Sequence, residues 1–330
     1  MKHHPPRGIV LYQHPIVWIV LIVFVLGALA VSCFVLDQKI PFICPEEKNG
    51  SGGNVRNIEP SWSPDGSRIA FASNREGNWE LYLVIVDTLE TSRVTSNEAV
   101  DRRPAWTPGG DQLAFVSNRD GQRCFDIYTI HPETKKVTRV TFRPQGCDDN
   151  PSWTPTTVPG EISKRIAFDS DRDDGKGEIY VLDVRTFAVT RVTFREATPD
   201  LNPTISPDGS RIAFQSYVNG NWEIFVMEAD GTNVKQLTFN PADDIDPAWS
   251  PDGQRIAFAT NRDGNWEIYT MDVDGGNVKN LTNSGTHERW PTWSPNGEEI
   301  AFQSDRTGRW EIWKMRSADG TEQKQLTGLE

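Results

Sequence analysis

The chain has 330 residues, with 34 Lys and Arg against 46 Asp and Glu, so its formal net charge is −12. An acidic protein repels nucleic-acid phosphates and anionic membrane surfaces, which argues against a nucleic-acid partner. A hydrophobic content of 37%, together with 26 Gly and 22 Pro, is typical of a folded, turn-rich chain and not of a disordered one.

The first predicted element is a transmembrane helix over residues 16–36, a run of 21 residues without a charged side chain. At about 1.5 Å rise per residue, such a run spans the roughly 30 Å hydrocarbon core of a bilayer. Lys2 and Arg7 precede the run, and no positive excess follows it. Residues 1–15 are therefore predicted to be a cytoplasmic tail, and the rest of the chain to lie outside the cytoplasm, in the periplasm or at the cell surface.

Two other interpretations of this segment stay open. Residues 28–30 (Ala-Leu-Ala) end an apolar stretch of the length found in cleaved signal peptides, which would make the protein secreted. Another interpretation is lipid attachment at Cys33. Each of them also places the remainder outside the cytoplasm. Residues 37–58 contain two prolines and a Gly-Ser-Gly-Gly run, which predicts a flexible tether.

From Pro60 onward the chain repeats one pattern six times. Pro-x-Trp-Ser-Pro-Asp-Gly begins at Pro60 and again at Pro247. Related copies begin at Pro104, Pro151, Pro203 and Pro291. The spacings are 44, 47, 52, 44 and 44 residues, and a period near 45 is typical of propeller blades or of long helical repeats.

The content of each copy favours strands over helices. In the fifth copy, residues 255–260 and 266–271 are rich in branched and aromatic side chains, and Asp-Gly turns separate such runs. Four strands, a to d, then form an antiparallel meander, and six meanders around an axis bury both faces of each sheet. The sequence predicts an all-β fold: a six-bladed β-propeller of four-stranded antiparallel blades over residues 59–330, preceded by one transmembrane helix.

These repeats resemble the TolB-like β-propeller family. The shared features are the Pro-x-Trp-Ser-Pro-Asp-Gly start, Ile-Ala-Phe on strand b, Asn-Arg-Asp-Gly after it, Glu-Ile-Tyr on strand c, and a closing Leu-Thr or Val-Thr pair. The resemblance implies protein contacts at the mouth of the central channel. The chain departs from the family pattern in having a predicted membrane anchor where an amino-terminal α/β domain would stand. It also gives every copy its own strand d, so we expect a ring closed without an exchanged strand.

Motifs of common enzymes are missing from the sequence. No Gly-x-Ser-x-Gly elbow, His-Glu-x-x-His helix or Gly-x-x-x-x-Gly-Lys loop occurs. The two histidines within the repeats, His131 and His287, are predicted to lie at opposite ends of their blades. We therefore expect a protein that is not an enzyme. A lyase or hydrolase of the propeller type, which the resemblance leaves open, is the alternative.

An acidic position recurs three residues before each blade-initial proline. The b-to-c and d-to-a loops share one end of the propeller, the top face, and this position falls there. Its occupants are Asn57, Asp101, Asp148, Asp200, Asp244 and Glu288. We call the five acids the acidic ring and expect them to encircle the channel mouth, where they could bind a basic peptide or a divalent cation.

The favoured interpretation of these acids is internal pairing with arginines of the b-to-c loops, which would tie the blades together. Blade 4 has residues 217–220 (Tyr-Val-Asn-Gly) where the other copies carry this arginine. Asp200 and Asp244 are therefore the candidates for a cation site, and no other cofactor is predicted.

Tryptophans and non-repeating residues supply the other candidates. Four tryptophans begin strand c: Trp79, Trp222, Trp266 and Trp310. They are predicted either to form an aromatic rim for sugars or peptides or to pack between blades. The strand a tryptophans are predicted to lie in the core: Trp62, Trp106, Trp153, Trp249 and Trp293. Because the shared scaffold does not require non-repeating residues, the binding prediction adds four of them to the acidic ring: Arg102, Arg103, His287 and Trp290.

Two cysteines fall on the same predicted face. Cys124 lies where the b-to-c loop of blade 2 enters strand c, and Cys147 lies in the connection to blade 3. A disulfide between them is a candidate because the compartment is predicted to be oxidising.

The leading hypothesis is an extracytoplasmic, membrane-tethered binding module. Its top face and channel mouth would bind a protein or peptide of the cell envelope, and residues 16–36 would hold it in the membrane. Recognition of an envelope polysaccharide through aromatic side chains is the alternative.

Overall fold

The computed structural model describes residues 55–121, 124–142, 146–154, 165–195 and 198–329. The predicted cytoplasmic tail, the predicted membrane segment 16–36 and most of the predicted tether lie outside these ranges. Every regular element within the ranges is a β-strand, and none of the described residues forms a helix able to cross a bilayer.

The strands follow one another in six groups of four. Blade 1 contains β1 (Asn57–Trp62), β2 (Arg68–Ser73), β3 (Glu80–Ile85) and β4 (Thr91–Arg93). Blade 2 contains β5 (Asp101–Trp106), β6 (Leu113–Ser117), β7 (Asp126–Ile130) and β8 (Val137–Arg139). Blade 3 contains β9 (Asp148–Trp153), β10 (Arg165–Ser170), β11 (Glu178–Asp183) and β12 (Ala188–Arg191). Blade 4 contains β13 (Asp200–Ile205), β14 (Arg211–Val218), β15 (Asn221–Glu228) and β16 (Lys235–Gln236). Blade 5 contains β17 (Asp244–Trp249), β18 (Arg255–Thr260), β19 (Glu267–Asp272) and β20 (Lys279–Asn280). Blade 6 contains β21 (Glu288–Trp293), β22 (Glu299–Ser304), β23 (Glu311–Arg316) and β24 (Lys324–Gln325).

Each group forms its own antiparallel sheet with the strands in sequence order, which confirms the predicted six-bladed propeller. The first strands of neighbouring blades contact one another around the centre. β1 begins at Asn57, so Asn57 and Ile58 belong to the first blade and not to the tether. Within the described ranges no strand is exchanged between blades 1 and 6. The Asn57 backbone N–H instead donates to the Trp310 carbonyl at 2.7 Å, and its side-chain amide donates to Glu311 Oε2 at 2.6 Å.

The core consists of layers between adjacent blades. One phenylalanine on each second strand is fully buried: Phe71, Phe115, Phe168, Phe214, Phe258 and Phe302. Four first-strand tryptophans are buried as predicted: Trp62, Trp106, Trp249 and Trp293. Trp153 is partly buried and packs against the layer between blades 2 and 3. Trp293 also ties two blades together, because its indole N–H donates to the Ala248 carbonyl of the preceding blade at 3.1 Å.

The first strand of every blade contains a β-bulge at the residue before the blade-initial proline. These residues all adopt left-handed backbone angles, with φ between 52° and 58°: Glu59, Arg103, Asn150, Asn202, Asp246 and Trp290. A bulge bends its strand and re-aims the backbone. In four blades the bulge N–H donates to a side-chain oxygen of the preceding blade, as from Asn202 to Asp169 Oδ1 at 2.8 Å. The bulges therefore join neighbouring blades near the channel.

Cys124 and Cys147 form a disulfide, with their Cα atoms 4.7 Å apart. It links the loop before β7 to the start of blade 3.

Replacing both cysteines with serine is expected to lower the free energy of unfolding by about 3 kcal/mol, because the bond closes a loop with a sequence separation of 23. Urea unfolding of the variant, and of the wild type with and without reductant, measures this. A reduced wild type as stable as the oxidised protein would contradict it.

Candidate functional site

The acidic ring lies beneath the surface, since its five carboxylates are at most 1% exposed. Four of the five pair with an arginine of the b-to-c loop in their own blade. The pairs are Asp101 with Arg119 at 2.9 Å, Asp148 with Arg172 at 2.5 Å, Asp244 with Arg262 at 3.0 Å, and Glu288 with Arg306 at 3.1 Å. The favoured interpretation, internal pairing with arginines of the b-to-c loops, is therefore found for four of the five acids, whereas the expectation that these pairs link different blades is wrong.

Local geometry explains why the pairs form within blades. Arg119 follows β6 by two residues, and its Nε donates to the Ser117 hydroxyl at 3.0 Å. Its guanidinium lies 4.9 Å from the ring centres of both Phe115 and Tyr128. This aromatic support holds the arginine over its own sheet, so it meets the acid at the start of the adjacent inner strand, Asp101.

Asp200 is the exception within the acidic ring. It forms no ion pair with a described residue, and neither carboxylate oxygen has a hydrogen-bond partner among them. Arg195, from the connection before β13, takes the place of the missing b-to-c arginine. Its guanidinium lies 4.4 Å from the centre of the Phe225 ring and donates to the Ser216 hydroxyl at 3.1 Å. Burial raises the pKa of Asp200 to about 7, although Ser216 and Arg195 act in the opposite direction.

The predicted cation site at Asp200 and Asp244 does not assemble. The missing arginine of blade 4 affects Asp200 alone, because Asp244 pairs with Arg262 of its own blade. The part of the chain that the structure describes contains no group of three His, Cys, Asp or Glu side chains that could hold a metal.

A second acidic position in each blade was not recognised as such from the sequence. A buried acid begins the third strand in five blades and is the third residue of β15 in blade 4: Glu80, Asp126, Glu178, Glu223, Glu267 and Glu311. Hydrogen bonds link Glu80, Glu267 and Glu311 to the first strand of the next blade. Ser284, for example, joins Glu267 to Glu288, because its N–H donates to the first and its hydroxyl to the second, both at 2.7 Å. The signal was present in the repeated Glu-Ile-Tyr, which was interpreted only as a family feature.

Three of the predicted binding residues meet at the channel, near Glu59. Glu59 Oε1 accepts from Arg102 at 2.6 Å, and Glu59 Oε2 accepts from the Arg103 backbone at 2.9 Å. Arg103 Nε reaches Asp149 Oδ1 at 2.8 Å, and its guanidinium lies 4.6 Å from the Trp290 ring centre. Burial acts to raise the pKa of Glu59, but the charges of Arg102 and Arg103 outweigh it, so this pKa is lowered. Blades 1, 2, 3 and 6 are thus linked at the centre.

The network continues on the other side of the channel. Asn202 donates to Asp246 Oδ1 at 2.9 Å, and Arg289 Nε contacts Asp246 Oδ2 at 3.1 Å. His287, the last of the predicted binding residues, is exposed in the connection before β21 and accepts the Trp266 backbone N–H at 3.2 Å. It does not join the central network.

The strand c tryptophans do not form an open aromatic rim. Trp79 and Trp222 are buried, and Trp266 and Trp310 are partly buried. Arg102 lies over Trp79, 4.9 Å from its ring centre, and Arg289 lies over Trp266. Packing between blades, the alternative considered above, is the arrangement found.

Exposed aromatic residues occur instead at the outer edge of the top face. Phe142, Phe194 and Phe239 are 63%, 71% and 77% exposed, and each follows the closing Val-Thr or Leu-Thr pair of its blade. We call them the aromatic arc. Blades 2, 3 and 4 carry them consecutively, whereas the other blades have Ser96, Asn283 and Gly328 at this position. The corresponding sequence signal is Thr-Phe in three successive copies. Exposed apolar side chains that lie close enough to form a patch mark interaction surfaces, and these three occupy equivalent positions in consecutive blades.

Comparison with known proteins agrees with this fold. The family model of the TolB beta propeller domain matches residues 47–158 and 241–328. The chain belongs to this family. Protein TolB homolog of Chlorobium luteolum is 31% identical to this TolB-family propeller over 169 residues, covering 49% of the chain and 34% of that protein. The chain spans only about a third, or less, of the length of the first curated relatives it matches.

Solved structures show the same propeller. TolB from Acinetobacter baumannii superposes with a TM-score of 0.62 at 25% identity, covering 81% of this chain and 61% of that one. An oligogalacturonate lyase in complex with manganese superposes with a TM-score of 0.58 at 18% identity, covering 82% and 77%. The second likeness shows the fold alone.

Proposed function

We propose that this TolB-family propeller is a binding module of the cell envelope, outside the cytoplasm, held in the membrane by residues 16–36, and that its top face binds a protein partner. The aromatic arc is the observation that carries the proposal. Fully burying one such side chain stabilises a complex by about 1.5–3 kcal/mol, so three of them supply a large driving force. Within the chain, Arg139 covers one face of Phe142 at 5.2 Å and Arg191 one face of Phe194 at 5.1 Å, and the rest of each ring stays exposed.

The channel mouth provides the rigid centre of the same face. Arg103 and Trp290 are both partly exposed there and stack on each other. Contacts with a peptide at this place are what family membership leads us to expect. A partner that covers both the channel mouth and the aromatic arc would meet blades 2 to 4 and the centre together.

The proposal assigns no catalytic role to this face. His131 lies in the turn between β7 and β8 and His287 in the connection before β21, so they stand at opposite ends of their blades. The proposal favours a protein over a carbohydrate partner because Trp79 and Trp222, two of the tryptophans predicted to form a rim for sugars, are buried.

Replacing Phe142, Phe194 and Phe239 together with serine is expected to reduce partner capture at least tenfold, since each lost burial weakens the complex. The measurement is crosslinking in intact cells, followed by mass spectrometry of the captured protein, with equal amounts of each variant. The control is Phe187→Ser, because Phe187 is 55% exposed but lies in the turn between β11 and β12, at the other end of the blade. Unchanged capture of the same partner by the triple variant would reject the proposed surface.

The membrane anchor is tested separately. Alkaline carbonate washing should leave the full chain in the membrane pellet and release a variant that lacks residues 16–36. Release of the full chain by the same wash would contradict anchoring without affecting the aromatic arc.

A further inference from the structure

Two carboxylates oppose each other on the two inner strands of blade 3, beside its contact with blade 4. Asp149 on β9 and Asp169 on β10 are register partners in adjacent antiparallel strands. Asp169 is 1% exposed, and Asp149 is partly buried beside the channel. Two carboxylates that share a buried site do not both ionise without cost, since their charges repel in a weakly polar environment.

Asp169 holds blade 4 against blade 3. Its Oδ1 accepts the backbone N–H of Asn202, the bulge residue of β13, at 2.8 Å, and the side-chain amide of Asn150 at 2.7 Å. Gln215 and Gln303 stand at the same register position in blades 4 and 6 and accept the next blade's bulge N–H at 3.0 and 2.9 Å. A neutral amide therefore performs this task elsewhere in the ring, and the task itself requires no charge.

The charges around the pair do not balance two carboxylates. Arg103 of β5 lies 2.8 Å from Asp149, but it is shared with Glu59 of β1, to which Arg102 also binds. On the blade 4 side, Asp169 meets the uncharged Asn202, and beyond it lie Asp246 and Arg289, which pair with each other. Burial, followed by the charge of Asp149, raises the pKa of Asp169 to about 7, and burial also raises the pKa of Asp149.

We propose that Asp149 and Asp169 hold one proton between them near neutral pH, and that loss of this proton loosens the contact between blades 3 and 4. With the proton bound, the pair carries one negative charge, which faces Arg103, and Asp169 still accepts from Asn202. Without it, two carboxylates repel across the same strand pair. The contact between blades 3 and 4 is then sensitive to pH. The contacts that use Gln215 or Gln303 at this position are not, because an amide does not titrate.

The direction of the effect follows from linkage. An aspartate with a raised pKa binds its proton more tightly in the closed state than in an open state, where water reaches the carboxyl and its pKa falls toward the ordinary value of about 3.9. Opening therefore becomes more favourable as pH rises through the open-state pKa toward 7, and the effect levels off above 7. For a pKa of about 7, the opening constant rises about tenfold between pH 6 and pH 8.

The test is hydrogen exchange of the full-length chain in detergent micelles at pH 6 and pH 8, corrected for the intrinsic exchange rate. The readout is the opening constant at the amide of Asn202 on β13, with the amide of Asp246 on β17 as the internal reference. In the wild type, the opening constant of the Asn202 amide should rise between pH 6 and pH 8 by a factor about tenfold larger than that of the Asp246 amide. Asp169→Asn should reduce the pH-dependent rise at Asn202 about tenfold. Asp169→Gln, which introduces the residue found at this position in blades 4 and 6, should do the same.

A reverse substitution makes the test independent of how well those variants fold. Gln215→Glu places a carboxyl at the same position in blade 4, and it should transfer a pH dependence of similar size to Asp246. Asp200 on β13 is a second buried carboxyl near Asn202, so Asp200→Asn is measured alongside. An increase at Asn202 that Asp169→Asn leaves unchanged would overturn the proposal, as would equal pH dependence of β13 and β17 in the wild type.

Discussion

Replacing Glu59 with alanine is expected to lower the free energy of unfolding by about 3–5 kcal/mol. Glu59 is 3% exposed and accepts hydrogen bonds from Arg102 and from the Arg103 backbone at 2.6 and 2.9 Å. The substitution removes the carboxylate that both guanidinium groups share, and it leaves their positive charges together at the centre of the ring. Removal of one partner from a buried ion pair costs more than the pair itself contributes, because the remaining charge stays desolvated.

Two further variants separate charge from shape at this position. Glu59→Gln keeps an oxygen for the Arg103 backbone but removes the charge, so an intermediate loss is expected. Glu133→Ala removes an exposed carboxylate, 3.4 Å from Arg68, and should change stability by no more than about 0.5 kcal/mol. Urea unfolding followed by tryptophan fluorescence measures all three. Similar losses for Glu59→Ala and Glu133→Ala would contradict the assigned role.

The pH dependence of the Glu59 contribution has a defined sign. Because its pKa is lowered in the folded protein, the contribution is complete above the ordinary glutamate pKa and is lost as pH falls below it. Glu59→Ala should therefore cost less at pH 3 than at pH 7.

Gly320→Ala is expected to lower the free energy of unfolding by about 4 kcal/mol. Gly320 has φ of +74°, and a Cβ atom there would lie 1.8 Å from the Leu281 carbonyl oxygen of the preceding blade. The left-handed conformation costs roughly 1–2 kcal/mol for a residue with a side chain, and overpacking adds about 1–3 kcal/mol or more. The clash is with backbone, so blades 5 and 6 would have to move apart.

Gly264→Ala is the matched control for backbone conformation. Gly264 has φ of +98°, and a Cβ atom there would meet nothing within 4 Å. Its substitution carries the conformational cost alone, about 1–2 kcal/mol. The difference between the two variants in urea unfolding measures the close approach of the blades. If both lose the same stability, close packing at Gly320 is not the cause.

The repeats were sufficient to predict the fold. A period near 45 residues, with branched and aromatic runs between Asp-Gly turns, determines both the number of blades and the four strands in each, because sheet geometry leaves few other solutions. The bulges were not predicted. Left-handed angles at Glu59, Arg103 and Trp290 contradict the usual preference for Gly or Asn, and they arise from the packing of inner strands around the axis.

The candidate site was predicted less completely than the fold. Sequence periodicity placed the acidic ring and the arginines at the same end of the blades, but it could not tell which blade each arginine joins. That choice depends on aromatic rings such as Phe115 and Tyr128, which hold Arg119 over its own sheet. The proximity of Cys124 and Cys147 was predictable because both flank the same top loops. The aromatic arc required attention to residues that differ between copies, and exposure cannot be calculated from a repeat alone.

The position of β1 determines where a mechanical load on the chain would act on the ring. In the described structure, β1 is the innermost strand of its blade, and no strand from the carboxyl-terminal blade covers or completes its sheet. A pulling force transmitted through the residues before Asn57 is therefore applied at the centre of the ring and not at its rim. It would be resisted first by Asn57, which is bonded to Trp310 and Glu311 across the join between blades 1 and 6. Rupture under tension should begin at that join and peel β1 away before the outer strands separate.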